Sequence, residues 1–261
     1  MIASYHTHTY RCNHAVGSDE EYILKAIAEG VKVLGFADHA PMPYTDGFVS
    51  TYKMRPDEID GYFSSLLSLR EKYKDKIEIK IGFETEYYPS LWEKSLKFWS
   101  NYPLDYLILG QHFAPEEEAL GASYSGYRSD DKQRLIDYTD CVIDAMNTGL
   151  ITYVAHPDLI NYTGDDSDLL LHERTRLIKE AVRLDIPLEY NLLGMVTKRN
   201  YPDSDFFRLA GELGAGVILG CDSHSPDRVV DSPEIACAKE TLASFGITPI
   251  NEVSLAPVFN R

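Results

Sequence analysis

Eight histidines are spread through 261 residues, and seven of them stand at or just after the ends of short apolar runs. His6 and His8 form the triplet His-Thr-His; residues two apart in an extended strand share a face, so both imidazoles can reach one ion. His14 follows in the stretch Arg11-Cys-Asn-His-Ala. Further along come Asp38-His39, Gly-Phe-Glu84, Gly-Gln-His112, Ala-His156-Pro-Asp158 and Cys-Asp222-Ser-His224. Each alone is a weak sign, because a lone strand-end histidine is usually structural. Chance, however, would scatter eight histidines over helices and loops, and only His172 falls in a predicted helix. Neutral imidazole and carboxylate are the usual ligands of zinc, manganese and iron, so the joint pattern points to a metal centre. Glu86, on the same face as Glu84, is a rival carboxylate.

The elements that must position these groups alternate regularly. Strands are expected to end over Tyr5–His8, Leu34–His39, Ile77–Glu84, Leu104–His112, Ile151–His156, Pro187–Asn191 and Val217–Asp222. Between them, helical periodicity covers Ser18–Gly30, Asp57–Lys74, Leu91–Ser100, Asp130–Gly149, Leu169–Leu184, Asp203–Leu213 and Pro233–Phe245. Ser18-Asp-Glu-Glu21 reads as a capping box, and Ser232-Pro233 as an N-cap followed by proline at the first helical position. Strands alternating with helices call for a parallel sheet with right-handed crossovers. Polar residues recur at nearly every strand end; a closed barrel gathers all of these on one ring, whereas an open sheet has one switch point. The reading is a single-domain seven-fold β/α barrel over residues 1–261. Asp165-Asp-Ser-Asp168 reads as a solvated loop rather than a calcium site, and Gly211-Glu-Leu-Gly-Ala-Gly216 as a helix stop.

Composition narrows the function. With 41 Asp+Glu against 25 Lys+Arg the formal net charge is −16, which repels nucleic acid phosphates but leaves room for a small phosphorylated substrate held by metals. No apolar run reaches the roughly 20 residues of a membrane span, and the start MIASYHTHTY does not read as a signal peptide, so a cytoplasmic protein without membrane partners is expected. Cys12, Cys141, Cys221 and Cys237 lie far apart and read as reduced thiols. G-x-S-x-G, Walker A and G-x-G-x-x-G motifs are absent from the sequence. Nothing in it predicts an oligomeric state.

The ordered series His6-Thr-His8, His14, Asp38-His39, Gly-Phe-Glu84, His112, His156 and Asp222-Ser-His224 resembles the polymerase and histidinol phosphatase (PHP) superfamily. Within it, the length and the opening HTHTYRCNHA most resemble the stand-alone histidinol-phosphate phosphatases. The resemblance implies a distorted (β/α)7 barrel with three divalent ions, zinc, manganese or iron, at the strand ends. It assigns His6, His8, Glu84 and Asp222 to the first ion, Glu84 with His112 and His156 to the second, and His14, His39 and His224 to the third. It also favours Glu84 over Glu86. Glu84 and Asp222 are thereby the candidate catalytic carboxylates, with Asp38 and Asp158 orienting neighbouring ligands.

Such a centre would generate a bridging hydroxide for in-line attack on a phosphate monoester, L-histidinol phosphate above all. A nucleotide or phosphodiester substrate, or metal binding without turnover, are the alternatives. Phosphate also calls for cations, and Arg11, Lys53, Arg128, Lys198 and Arg199 fall in expected strand-end loops. Arg199, after the sixth strand, has the best placement; the segment His156–Tyr162 offers no basic residue. Tyr44, Tyr52, Tyr87, Tyr88 and Tyr127 are candidate pocket aromatics.

Overall fold

Seven short runs form the strands β1 (Ala3–Ser4), β2 (Val33–His39), β3 (Glu78–Thr85), β4 (Tyr106–Leu109), β5 (Ile151–Val154), β6 (Leu188–Asn191) and β7 (Val217–Gly220). The computed structural model describes residues 3–259 apart from Asp46, Pro115, Asp231 and the side chain of Ser232. The strands pair in chain order, all parallel. The ring is completed by one parallel bridge, Thr7 to Ser223, in which the His8 N–H donates to Ser223 O at 2.9 Å and the Ser223 N–H to His6 O at 3.1 Å. The barrel is distorted: register shifts between β4 and β5, and β5 and β6 share only the Val154–Leu188 pair.

Around it run α1 (Asp19–Ala28), α2 (Ile59–Tyr73), α3 (Trp92–Trp99), α4 (Lys132–Asn147), α5 (Ser167–Leu184), α6 (Leu192–Thr197), α7 (Ser204–Glu212) and α8 (Ser232–Ser244). The capping box that opens α1 is present, Ser18 N–H donating to Glu21 Oε2 at 2.6 Å and Glu21 N–H to Ser18 Oγ at 3.4 Å. Asp166 caps α5. The cap expected of Ser232 lies outside the described side chains. Short α6 was not expected, because six residues are too few to show a helical period.

Four of the strands, β1, β4, β5 and β7, also stop earlier than the sequence implies, while β2 and β6 end where expected and β3 runs one residue further. His6, His8, His112, His156 and Asp222 all lie beyond the paired residues, since the chain leaves the ladder where it must turn side chains into the barrel mouth.

Alternation within strands creates two apolar layers. Ala3, Tyr5, Val33, Ala37, Tyr106, Ile108, Tyr153, Ala155 and Ile218 fill the barrel, while a larger set lies between strands and helices. The end of the chain completes the inner layer: Ile250 N–H bonds Val217 O at 2.7 Å, and Val253 and Leu255 pack on the inner residues. That apolar plug sits at the start of the strands and leaves the polar groups at their far ends. No helix among the described residues is long and apolar enough to cross a membrane.

Candidate metal centre

The strand ends bring all nine predicted ligand side chains into one cluster. His6 and His8 face each other Nε2 to Nε2 at 3.1 Å, and His14 and His224 do the same at 2.9 Å. Glu84 lies beside the first pair and reaches three more imidazoles: Oε2 is 3.5 Å from both His6 and His8 Nε2 and 3.0 Å from His39 Nδ1, while Oε1 is 2.9 Å from His156 Nε2 and 3.7 Å from His112 Nε2. Asp222 Oδ1 stands 3.2 Å from His8 Nε2 and 3.5 Å from His6 Nε2. Two of these residues hold unusual backbone, His156 at φ 30° and Asp222 at φ 48°, a region L side chains seldom enter; the turn aims both side chains inward. A Cβ at Gly110 would strike the Glu84 carboxylate, so glycine there is what lets Glu84 reach the centre.

The donor set fits divalent cations. Paired imidazole nitrogens at these separations share at most one proton, and Glu84 Oε2 is buried among imidazole nitrogens at 3.0–3.5 Å without making a hydrogen bond to them. Five groups of described residues have ligand atoms close enough for one ion: His6, His8 and Asp222; His39, Glu84 and His112; His8, His39 and His224; Cys12, His14 and His224; and His8, Cys12 and Asp38. His39 thus lies between two of them.

Electrostatics favour ligand protonation states in part of the cluster. Burial opposes the charge on Glu84, yet His39, His6 and His112 hold it well below the usual carboxylate range; Asp222 is held down likewise, chiefly by His6 and His8. Burial and the neighbouring His8 push His224 to about 3. His6 and His8 go the other way. Burial works against their protons, but Glu189 and Asp222 around His6, and Asp222 and Asp38 around His8, raise both above the ordinary value, so a cation must displace protons there.

A model of the PHP domain matches residues 4–191, most of the chain. The chain belongs to the PHP family. It is 26% identical over 242 residues to a protein of Deinococcus radiodurans named "Probable histidinol-phosphatase", covering 86% of each. It is 27% identical to a Schizosaccharomyces pombe protein of the same name, covering 98% of this chain and 91% of that one. Among solved structures, a histidinol phosphate phosphatase from Lactococcus lactis, complexed with zinc, L-histidinol and phosphate, superposes with a TM-score of 0.72 at 21% identity. That match covers 97% of this chain and 96% of that one.

The remaining predicted residues of this PHP protein divide sharply. Seven of the nine ligand candidates line a cavity of about 450 Å³, together with Tyr52, Phe113, Tyr124, Leu193, Arg199 and Tyr201. His6 and His8 lie beneath it, fully buried. Arg199 is the cation on that wall, its Nη1 donating to Tyr201 Oη at 2.6 Å, with no carboxylate at ion-pair distance among the described residues. The other predicted cations lie elsewhere. Arg11 is buried in a bidentate pair with Asp19 at 2.9 and 3.0 Å. Lys53 is buried against Glu86, Glu117 and the Tyr52 hydroxyl, and Arg128 and Lys198 are exposed away from the wall.

Asp38 has Oδ1 3.4 Å from His8 Nδ1, and its Oδ2 accepts from the Thr9 hydroxyl. Asp158 takes the amide of Asp203 rather than an imidazole, tying the end of β5 to the start of α7; burial pushes its carboxyl up to about 7. Of the predicted tyrosines, Tyr52 lines the main cavity. Tyr127 lines an adjoining one, and Tyr44 and Tyr88 bond the carboxylates beside Lys53.

Sequence reasoning missed Tyr124 and Tyr201, whose loops carry no period to read. It also missed Glu189 and Asn191, both fully buried beside the ligands. A signal for these two existed: a glutamate inside the apolar run Pro187-Leu-Glu-Tyr-Asn191, two residues from an asparagine, shares its face.

Proposed function

We propose that this PHP protein hydrolyses a small phosphate monoester, L-histidinol phosphate, to L-histidinol and phosphate, with three divalent ions bound. His6, His8, Glu84 and Asp222 would hold the first, Glu84, His112 and His156 the second, and His14, His39 and His224 the third. The observation that carries this reading is one chamber in which a converging imidazole–carboxylate cluster faces an unpaired guanidinium, Arg199, across a cavity of small-molecule size. The names of the two sequence relatives, and the histidinol and phosphate in the Lactococcus structure, support the substrate.

When bound, such ions lower the pKa of a coordinated water toward neutrality and neutralise charge on phosphoryl oxygens. The chain's own groups do the rest. Glu84 places its two oxygens toward opposite halves of the cluster and so sets their separation. Arg199, steadied by the Tyr201 hydroxyl, would take phosphate oxygens with its two-pronged guanidinium. Tyr52, Phe113 and Tyr124 give the leaving alcohol an aromatic wall suited to a flat imidazole ring.

The test is phosphate release from L-histidinol phosphate against a panel of nucleotides and short phosphodiesters, with metal content measured on the same sample. Preference for histidinol phosphate, lost on chelation and restored by Mn²⁺ or Zn²⁺, is the expected result. Turnover that resists chelation would overturn the metal reading, and preference for a nucleotide or diester would overturn the substrate. Full metal loading with no turnover of any phosphoester would leave a binding domain.

A further inference from the structure

Strand β6 gives the centre no ligand, yet a continuous buried polar chain runs through it. Glu189 and Asn191 stand two residues apart on its inner face, both fully buried. Glu189 Oε1 accepts from His6 Nδ1 at 2.8 Å, and Oε2 accepts the His156 backbone N–H at 3.0 Å and the Asn191 amide at 2.8 Å. The same Asn191 nitrogen reaches Asp222 Oδ2 at 3.1 Å. Asn191 Oδ1 accepts the Gly194 N–H at 2.8 Å and so caps α6, the helix that leads directly to Arg199.

We infer that Glu189 and Asn191 form a positioning unit that holds three ligand residues, His6, His156 and Asp222, in one register with the helix that leads to Arg199. This rests on the metal reading above. A bond to His6 Nδ1 fixes the tautomer, leaving the Nε2 lone pair for the ion, and fixes the ring plane as well. A buried carboxylate costs several kcal/mol unless its lone pairs are satisfied, and apolar packing would stabilise the barrel as well or better. Glu189 has no Lys or Arg partner in the described structure; its donors are the groups that meet at the centre. The carboxylate lies against Gly220, where a Cβ would collide with it, so glycine at that position is what admits Glu189.

The test uses the full chain with Glu189→Gln and Asn191→Ala. For each, the Zn²⁺ or Mn²⁺ affinity is measured by competition with a chromophoric chelator. The melting temperature of the metal-free form is measured alongside, and kcat and KM are determined on L-histidinol phosphate. Each variant is expected to bind metal about 10–100-fold more weakly than wild type while the metal-free proteins stay folded. Glu189→Gln should lower kcat more than it raises KM, and Asn191→Ala should shift both, because it also releases α6. Variants that melt lower yet bind metal with wild-type affinity would overturn the inference and leave the metal centre standing. A wild-type chain that binds no metal would overturn both. Should Glu189→Gln fail to fold, Asn191→Ala, which keeps the Glu189 bonds to His6 and His156, decides by the same criteria.

Discussion

Two buried polar clusters sit side by side at the barrel mouth, and they are finished in opposite ways. Around Lys53, the ammonium meets Glu86 and Glu117; Tyr52 and Tyr88 donate to Glu86, and Tyr44 to Glu117 at 2.6 Å. One ammonium is shared by two carboxylates there, and the tyrosine hydroxyls supply the further donors from the chain itself. Burial opposes ionisation of Glu86, yet Lys53 and His112 bring it down to about 2. In the histidine cluster, nitrogens face nitrogens and the buried Glu84 Oε2 makes no hydrogen bond. One cluster is complete as a folded chain, while the other is complete only with cations. Their meeting point is Glu86, which also accepts the His112 amide at 3.1 Å.

The comparison breaks most easily at Glu84. Glu84→Ala removes the group that spans the histidine cluster and should lower phosphatase activity at least about 100-fold, with metal content falling in parallel. Normal metal content in that variant would show that Glu84 is not a ligand. Lys53→Met attacks the other cluster. Stripping one partner from a buried ion pair should cost about 3–5 kcal/mol in urea unfolding, while the folded fraction keeps its metals. Loss of metal with the lysine would mean that the two clusters are one unit.

Arg199→Ala should touch neither. Losing a charge-assisted contact of about 1.5–3 kcal/mol predicts a fall in kcat/KM of roughly 10–100-fold, with melting temperature and metal content unchanged. The smallest effect belongs to Asp203, which caps α7 and pairs with Arg174 at 2.9 Å. Asp203→Ala should cost about 1 kcal/mol. Burial works against its charge, but Arg174 and the amides of Asp205 and Phe206 lower its pKa. Its contribution is therefore full above the ordinary aspartate range and fades as pH falls through the lowered folded value. Urea unfolding of Asp203→Asn and wild type should differ at pH 7, and the difference should shrink steadily as pH falls below the ordinary aspartate range.

What the chain made legible was everything governed by local spacing. The His6-Thr-His8 repeat, the capping box at Ser18 and the alternation of strand and helix each depend on residues only a few positions apart. That alternation, with polar groups at strand ends, led to the barrel. The phosphate cations were harder to read. Arg11, Lys53 and Arg199 look alike in sequence; Asp19 neutralises the first from its neighbouring helix, Glu86 and Glu117 enclose the second, and only the third reaches the cavity without a carboxylate partner.

By itself, then, the sequence determined the family, the barrel and the identity of the side chains able to hold metal, because strand periodicity and ligand chemistry act over a few residues. Tertiary structure alone decided which cations stay free, that the chain's end plugs the base of the barrel, and that Glu189 underlies His6 from 183 residues away. Such pairings follow from how seven strands close into a ring. No local pattern encodes that closure, because its contacts join residues that only the completed barrel brings together.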